Sequence, residues 1–216
     1  MRHRVCFVDD DGDFEVPLFE EVFGDAFDLL TATDCEQLTA KLAARPGWAP
    51  ELFVLDLYFP LAPPDYGAVA ALKADPPGLT DDHAEVRAAY ANSAAAGRRL
   101  GEVLSAWRQT PDGGLRLAER IARDFPGTPI VFYSRKATLA DAVRCLAAPN
   151  VRGIERKPTG ADDEETRRRT HAERDRLVAR FGRAISGADA DETRRLKDAA
   201  RTIADLLAPD FEPGGS

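Results

Sequence analysis

A chain of 216 residues with 44% hydrophobic and 31% charged residues has the material for one full core plus an appendage. Its formal net charge of -8 argues against nucleic acid as a default partner. Cys6, Cys35 and Cys145 are odd in number and widely spaced, the pattern of reduced thiols and not of a disulfide frame or zinc site; no apolar stretch has the length of a membrane span. With no apolar leader in MRHRVCFVDDD, the expectation is a cytoplasmic protein without membrane contacts.

In chain order, the apolar run Val5 to Val8 predicts a strand closing on Asp9, Asp10 and Asp11. Phe14 to Phe23 has helical spacing, Phe27 to Thr31 is a weaker strand, and Cys35 to Ala44 is helical with Leu38 and Leu42 inward. Leu52 to Leu55 is a continuous apolar run between Pro50 and Pro60, the signature of a strand buried on both faces, and it runs into Asp56. Gly114 to Phe125 predicts an amphipathic helix and Thr128 to Tyr133 a strand ending at Ser134. Leu139 to Leu146 is helical, and Val151 to Ile154 is a short strand leading to Lys157 and Pro158.

This alternation implies an α/β fold of flavodoxin-like type, a doubly wound parallel sheet with strand order 2-1-3-4-5 and added helices. Four strand ends then deliver Asp9, Asp10, Asp56, Ser134 and Lys157 to one crevice, where open sheets of this kind keep their ligands. Three carboxylates held close repel one another and call for a divalent cation, and all-oxygen donors favour Mg²⁺. Lys157 is a point charge for a phosphoryl group, Ser134 offers a hydroxyl, and Asp56 is free to attack phosphorus. Phosphoryl transfer asks mainly for positioning and charge neutralisation, which this set supplies.

VCFVDDD, LFVLDLYFP, IVFYS and GIERKP together resemble the receiver domain of bacterial two-component response regulators. The resemblance covers roughly residues 4 to 60 and 111 to 158. It implies that Asp9 and Asp10 are the acidic metal pair, that Asp56 is the phosphoacceptor, and that the Tyr58 backbone carbonyl joins the Mg²⁺ ligands. Ser134 becomes the switch hydroxyl and Lys157 the phosphate-pairing ammonium, followed by Pro158 in what is often a cis peptide. Pro111-Asp112-Gly113-Gly114 resembles the turn into the third helix. The implied partner is a histidine kinase or phosphotransfer protein. Three features depart from the pattern. Ile154 stands where an aromatic is usual, Arg135 follows Ser134 and can screen or recruit the phosphate, and Tyr58 stands where it can hinder hydrolytic water and prolong the phosphorylated state.

Residues 1–160 thus form the receiver-like unit, interrupted at 61–110, and 161–216 form a helical extension. Thr80 to Trp107 carries apolar residues at spacings of three and four, one amphipathic helix about 40 Å long at 1.5 Å per residue. It can cover the site, form a dimer surface, dock a partner or pack on the body. Glu164 to Ile185 reads as one helix whose first half lies in solvent, with Glu164/Arg168 and Glu165/Arg169 pairs. Asp189 and Glu192 resemble a capping box for a last helix ended by Pro209. Contacts with a downstream protein, or self-association, fall to 80–108 and 163–208.

Two other readings fit parts of the sequence. A haloacid-dehalogenase-type phosphatase would use Asp9 as nucleophile and Asp11 as acid/base, with 61–110 as a cap. A degenerate receiver would serve only as a protein-binding scaffold.

Overall fold

The computed structural model describes residues 2–60, 98–99 and 101–207. Most of the predicted helix from Thr80 to Trp107 lies outside these; residues 101–106 are helical. The sheet contains β1 (Arg4–Val8), β2 (Asp28–Ala32), β3 (Leu52–Leu55), β6 (Ile130–Ser134) and β7 (Val151–Arg156), all parallel, in the order β2-β1-β3-β6-β7. This is the expected 2-1-3-4-5 order once a small ribbon is set aside. That ribbon, β4 (Phe59–Pro60) antiparallel to β5 (Gln109–Thr110), brackets the insertion and was not legible in the sequence.

Successive residues of each central strand face opposite layers. Phe7, Leu52, Val54, Val131 and Tyr133 face α1 (Glu15–Phe23) and α6 (Arg174–Ser186), meeting Leu18, Phe19, Phe23, Leu177 and Phe181. Phe7 and Phe19 stack with ring centroids 3.9 Å apart, and Phe181 fits among Phe19, Phe23, Phe27 and Tyr133. Cys6, Val8, Phe53, Leu55 and Phe132 face the other layer. There they meet residues of α2 (Cys35–Ala43), α3 (Pro111–Asp124) and α4 (Leu139–Ala147). Burial on both sides explains why β1, β3 and β6 read as unbroken apolar runs.

α3 begins at Pro111, three residues earlier than the periodicity suggests. Proline at the first helical position costs no hydrogen bond there, and the Thr110 side chain accepts from Asp112 N–H to cap the helix. Gly113 and Gly114 therefore lie within the first turn of the helix, not in a turn before it.

The C-terminal region differs from expectation in three ways. Glu164 to Ile185 is two helices, α5 (Asp163–Ala172) and α6, joined at Glu173. α5 is not free in solvent: Arg167 and His171 both pair with Glu21, Thr166 and Thr170 are buried, and Arg174 donates to Val22 O and Asp25. Within α5, Glu165 takes both Arg168 and Arg169. Before α7 (Ala190–Leu207), Asp189 Oδ2 accepts from the Arg180 guanidinium at 2.6 Å and its Oδ1 has no hydrogen-bond partner among the described residues, so the expected capping box is replaced by a buried ion pair. Arg180 also donates to Glu155 and to the carbonyl of Arg152, the residue bulged out of the β6–β7 register. α7 crosses to the opposite layer and packs on α4 and β7, with Lys197 donating to the carbonyls of Ala148 and Pro149.

Candidate phosphoacceptor site

The crevice is made by strand ends. Val8 is the last residue of β1, and the main chain of Asp9 and of Asp56 is fixed by N–H donation to Ala32 O and Val8 O respectively. Ser134 ends β6, and Lys157 follows β7, its N–H donating to Ser134 O. Parallel pairing alone thus brings these side chains to one edge of the sheet.

At the centre is the Lys157 ammonium. It pairs with Asp9 Oδ2 in very close contact and lies 3.2 Å from Asp56 Oδ1 and 3.5 Å from Glu15 Oε2. Lys157, Asp9, Glu15 and Asp56 are all buried. Asp9 Oδ1 accepts from Asp11 N–H at 3.0 Å, and Asp56 Oδ2 accepts from Tyr58 N–H at 2.9 Å. Asp56 therefore has one oxygen tied to its own loop and the other facing the ammonium.

The charges are unbalanced. Burial pushes the Asp9 carboxyl up to about 7, against the pull of Lys157. Asp10 is raised too, by burial and then by the neighbouring Asp56 charge. For Lys157, burial acts to lower the pKa, but Asp56, Asp9 and Glu15 together hold it well above the ordinary lysine range. Burial thus raises the two acids, and the carboxylates that surround the single ammonium raise Lys157.

Ser134 contributes a buried hydroxyl whose oxygen has no hydrogen-bond partner among the described residues. A buried polar atom left unmatched marks a place where a ligand atom is due. Arg135 does not point free into the crevice. Its guanidinium pairs with Glu15 and lies 5.8 Å from the centre of the Phe14 ring. Tyr58 is buried, and its hydroxyl donates to Asp141 Oδ2 at 2.7 Å, so the ring is anchored to the first turn of α4. Asp10 feels the Asp56 charge but makes no ion pair with Lys157 among the described residues: its Oδ2 accepts from Gln109 Nε2 at 3.1 Å, and Gln109 Oε1 in turn accepts from Lys136. Asp11, as its place after a strand suggests, is a local cap that accepts from Phe14 N–H.

Sequence reasoning missed Glu15 and Gln109. Glu15 stands in the first turn of α1, where an acidic residue reads as ordinary helix-end chemistry. Gln109 stands just before the Pro111-Asp112-Gly113-Gly114 stretch, but an amide there carries no signal of its own. Among the described residues no three His, Cys, Asp or Glu side chains converge as a ready-made metal cage. The donors nonetheless suit a hard divalent ion: they are carboxylate oxygens with surplus negative charge. Among the described peptide bonds none is cis, so Lys157–Pro158 is trans, contrary to expectation.

Glycine is required where α3 meets this site. A Cβ on Gly114 would lie 2.5 Å from Leu57 O and 2.8 Å from Asp56 O, and one on Gly113 would lie 2.8 Å from Phe59 Cβ. The helix start packs directly on the backbone of the Asp56 loop.

No family model and no curated protein matches the sequence. Solved structures do match. NtrX from Brucella abortus in complex with ADP superposes with a TM-score of 0.50 at 18% identity, over 95% of this chain and 30% of that one. A CheY-like response regulator receiver domain protein from Methanospirillum hungatei JF-1 gives 0.48 at 13% identity over 90% and 98% of the two chains. The signal receiver domain of an HD domain-containing protein from Pseudomonas fluorescens Pf-5 gives 0.47 at 16% over 90% and 93%. Several of the matching structures are of receiver domains, and what this chain shares with them is the fold, a five-stranded parallel sheet flanked by helices.

Proposed function

We propose that the chain is the phosphoacceptor receiver of a two-component or phosphorelay system, with Asp56 as the residue that takes the phosphoryl group. The observation that carries this is the meeting of Asp56 and Asp9 on one buried ammonium, that of Lys157, whose main-chain N–H donates to the carbonyl of Ser134, a residue with a buried hydroxyl that has no partner among the described residues. Tyr58 N–H holds Asp56 Oδ2, which leaves Oδ1 as the attacking oxygen. As Oδ1 bonds to phosphorus, the bond to the donor breaks and the donor leaves with its electron pair. Lys157 then neutralises a phosphoryl oxygen and Ser134 donates to another. Asp10, Asp9, Asp56 and the Tyr58 carbonyl are the groups that would hold Mg²⁺, which when bound supplies counter-charge for the incoming phosphoryl oxygens. The donor is a histidine kinase or phosphotransfer protein.

The geometry supports a route for the signal that does not use an aromatic at position 154. Asp56 is hydrogen-bonded to Tyr58, Tyr58 to Asp141 in α4, and α4 is covered by α7. A change at Asp56 would be felt at that helix pair, where a downstream protein or a second copy would read it.

The test is incubation with Mg²⁺ and acetyl phosphate, then borohydride trapping and mass spectrometry. Label on Asp56 is the expected result. Turnover through Asp9 would instead indicate a phosphatase, in which Asp11, whose Oδ1 accepts from Phe14 N–H, would have to serve as the acid/base. No label at either residue would leave a binding scaffold.

A further inference from the structure

We infer that Gln109, delivered by the return strand of the insertion, is a further residue of the cation site: it competes with the metal for Asp10 and reports metal occupancy to the chain that precedes it. The inference rests on the receiver reading of the acidic cluster.

Four observations carry it. Gln109 belongs to β5, paired through Pro60 with the strand that leaves the Asp56 loop, so the inserted chain departs and returns at the rim of the site. Its Nε2 donates to Asp10 Oδ2 at 3.1 Å while its Oε1 accepts from Lys136, whose ammonium lies 5.9 Å from the Tyr58 ring centre. An amide so placed is committed at both ends: one holds the carboxylate, the other keeps a lysine from it. The three acidic side chains that do converge, Asp9, Glu15 and Asp56, meet on the Lys157 ammonium, while the Asp10 carboxylate is held by Gln109. Finally, the main chain just before Gln109 is strained. Arg108 has φ 51°, a left-handed conformation that glycine adopts far more readily, and it ends the helical residues 101–106. Strain of this sort persists where the surrounding contacts enforce it.

A divalent ion that takes an Asp10 oxygen weakens or displaces the Gln109 hydrogen bond. That loosens β5 from the site and frees Arg108 to relax. Linkage makes the effect reciprocal: whatever steadies Gln109 on Asp10 lowers metal affinity by the same factor. The inserted segment thereby gains a handle on phosphorylation readiness without supplying a ligand.

Trp107 gives a direct readout, since it is half-exposed, two residues from Gln109, and the only tryptophan left by the Trp48→Phe substitution. In the full chain carrying Trp48→Phe, Mg²⁺ titration should change Trp107 fluorescence in step with binding measured by calorimetry. Adding Gln109→Met, which keeps side-chain length but neither hydrogen bond, should preserve binding and abolish most of the fluorescence change. Gln109→Asn, one methylene short of Asp10, should behave likewise and guards against a folding defect peculiar to Met. In a Lys136→Met background, where no freed ammonium can replace the amide, Gln109→Met should tighten Mg²⁺ binding about fivefold, the worth of one ordinary hydrogen bond. Equal fluorescence responses with and without Gln109, or an affinity that fails to rise, overturn the inference and leave the receiver reading intact. If the chain with Gln109 in place binds no Mg²⁺ and Asp56 takes no phosphoryl group, the receiver reading itself falls and the inference with it.

Discussion

Replacing Gly114 by alanine tests how tightly the third helix is seated on the acceptor loop. In most helices the exchange is favourable by up to about 1 kcal/mol. Here the new methyl group would lie 2.5 Å from Leu57 O, 2.7 Å from Leu57 Cα and 2.8 Å from Asp56 O, all of them backbone atoms that cannot rotate aside. The start of α3 must retreat, which carries an overpacking cost of about 1–3 kcal/mol. The same retreat stretches the Gly114 N–H to Leu57 O hydrogen bond of 3.0 Å, worth about 1 kcal/mol. Against the helix gain, the net is a loss of about 2 kcal/mol, or about 4–8 °C in Tm for a chain of this size. Gly182, inside α6, provides the control because, apart from its own helix backbone, nothing among the described residues would lie within 4 Å of a Cβ there. Gly182→Ala should gain about 0.5–1 kcal/mol. Urea and thermal unfolding followed by circular dichroism give both values, and acetyl-phosphate labelling of Asp56 should fall only in the Gly114 variant. If Gly114→Ala unfolds at or above the parent midpoint, the close seating of α3 on the Asp56 loop is wrong.

Further outcomes are expected at Lys157, the cysteines and Tyr58. Lys157→Met removes the cation from a buried set of carboxylates and should cost about 3–5 kcal/mol at pH 7 by urea denaturation, with a smaller loss near pH 5 where the acids regain protons; an equal loss at both values would refute the charge-imbalance account. Burial pushes the Cys6 and Cys145 thiols up to about 12, so at pH 8 a thiol reagent should modify native Cys35 alone. Because the folded chain holds those two thiol protons more tightly than the unfolded one, their contribution to stability is complete below about pH 9 and is lost as pH rises toward 12; Cys6→Ala should flatten that decline in unfolding titrations. Tyr58→Phe deletes the hydroxyl that donates to Asp141 and should cost about 1–2 kcal/mol while leaving the α4 cap made by Thr138 in place. Tyr58→Asn should speed the decay of the acyl phosphate, followed after removal of the phosphoryl donor; an unchanged rate would remove Tyr58 from the control of hydrolysis.

Much of the fold is local and therefore readable. Val5–Val8, Leu52–Leu55 and Ile130–Tyr133 are apolar without interruption, and only a sheet covered on both faces satisfies such runs. Parallel strands of that kind set their C-terminal residues along one edge, so the convergence of Asp9, Asp56, Ser134 and Lys157 was implicit in the order of elements. The helix break at Glu173 was hidden because neither glycine nor proline marks it. The docking of α5 on α1 was hidden because it depends on Glu21, about 150 residues away from Arg167 and His171.

The sequence by itself determined the strand order and the acids, hydroxyl and ammonium at the crevice, because hydrophobic period and chain alternation are short-range properties. Tertiary structure alone decided which charges meet. It turned Asp10 toward Gln109, set Arg135 against Glu15 and bound Tyr58 to Asp141. Those pairings join residues with no sequence relation, and they are chosen by which buried polar groups can satisfy one another once the sheet has brought them near.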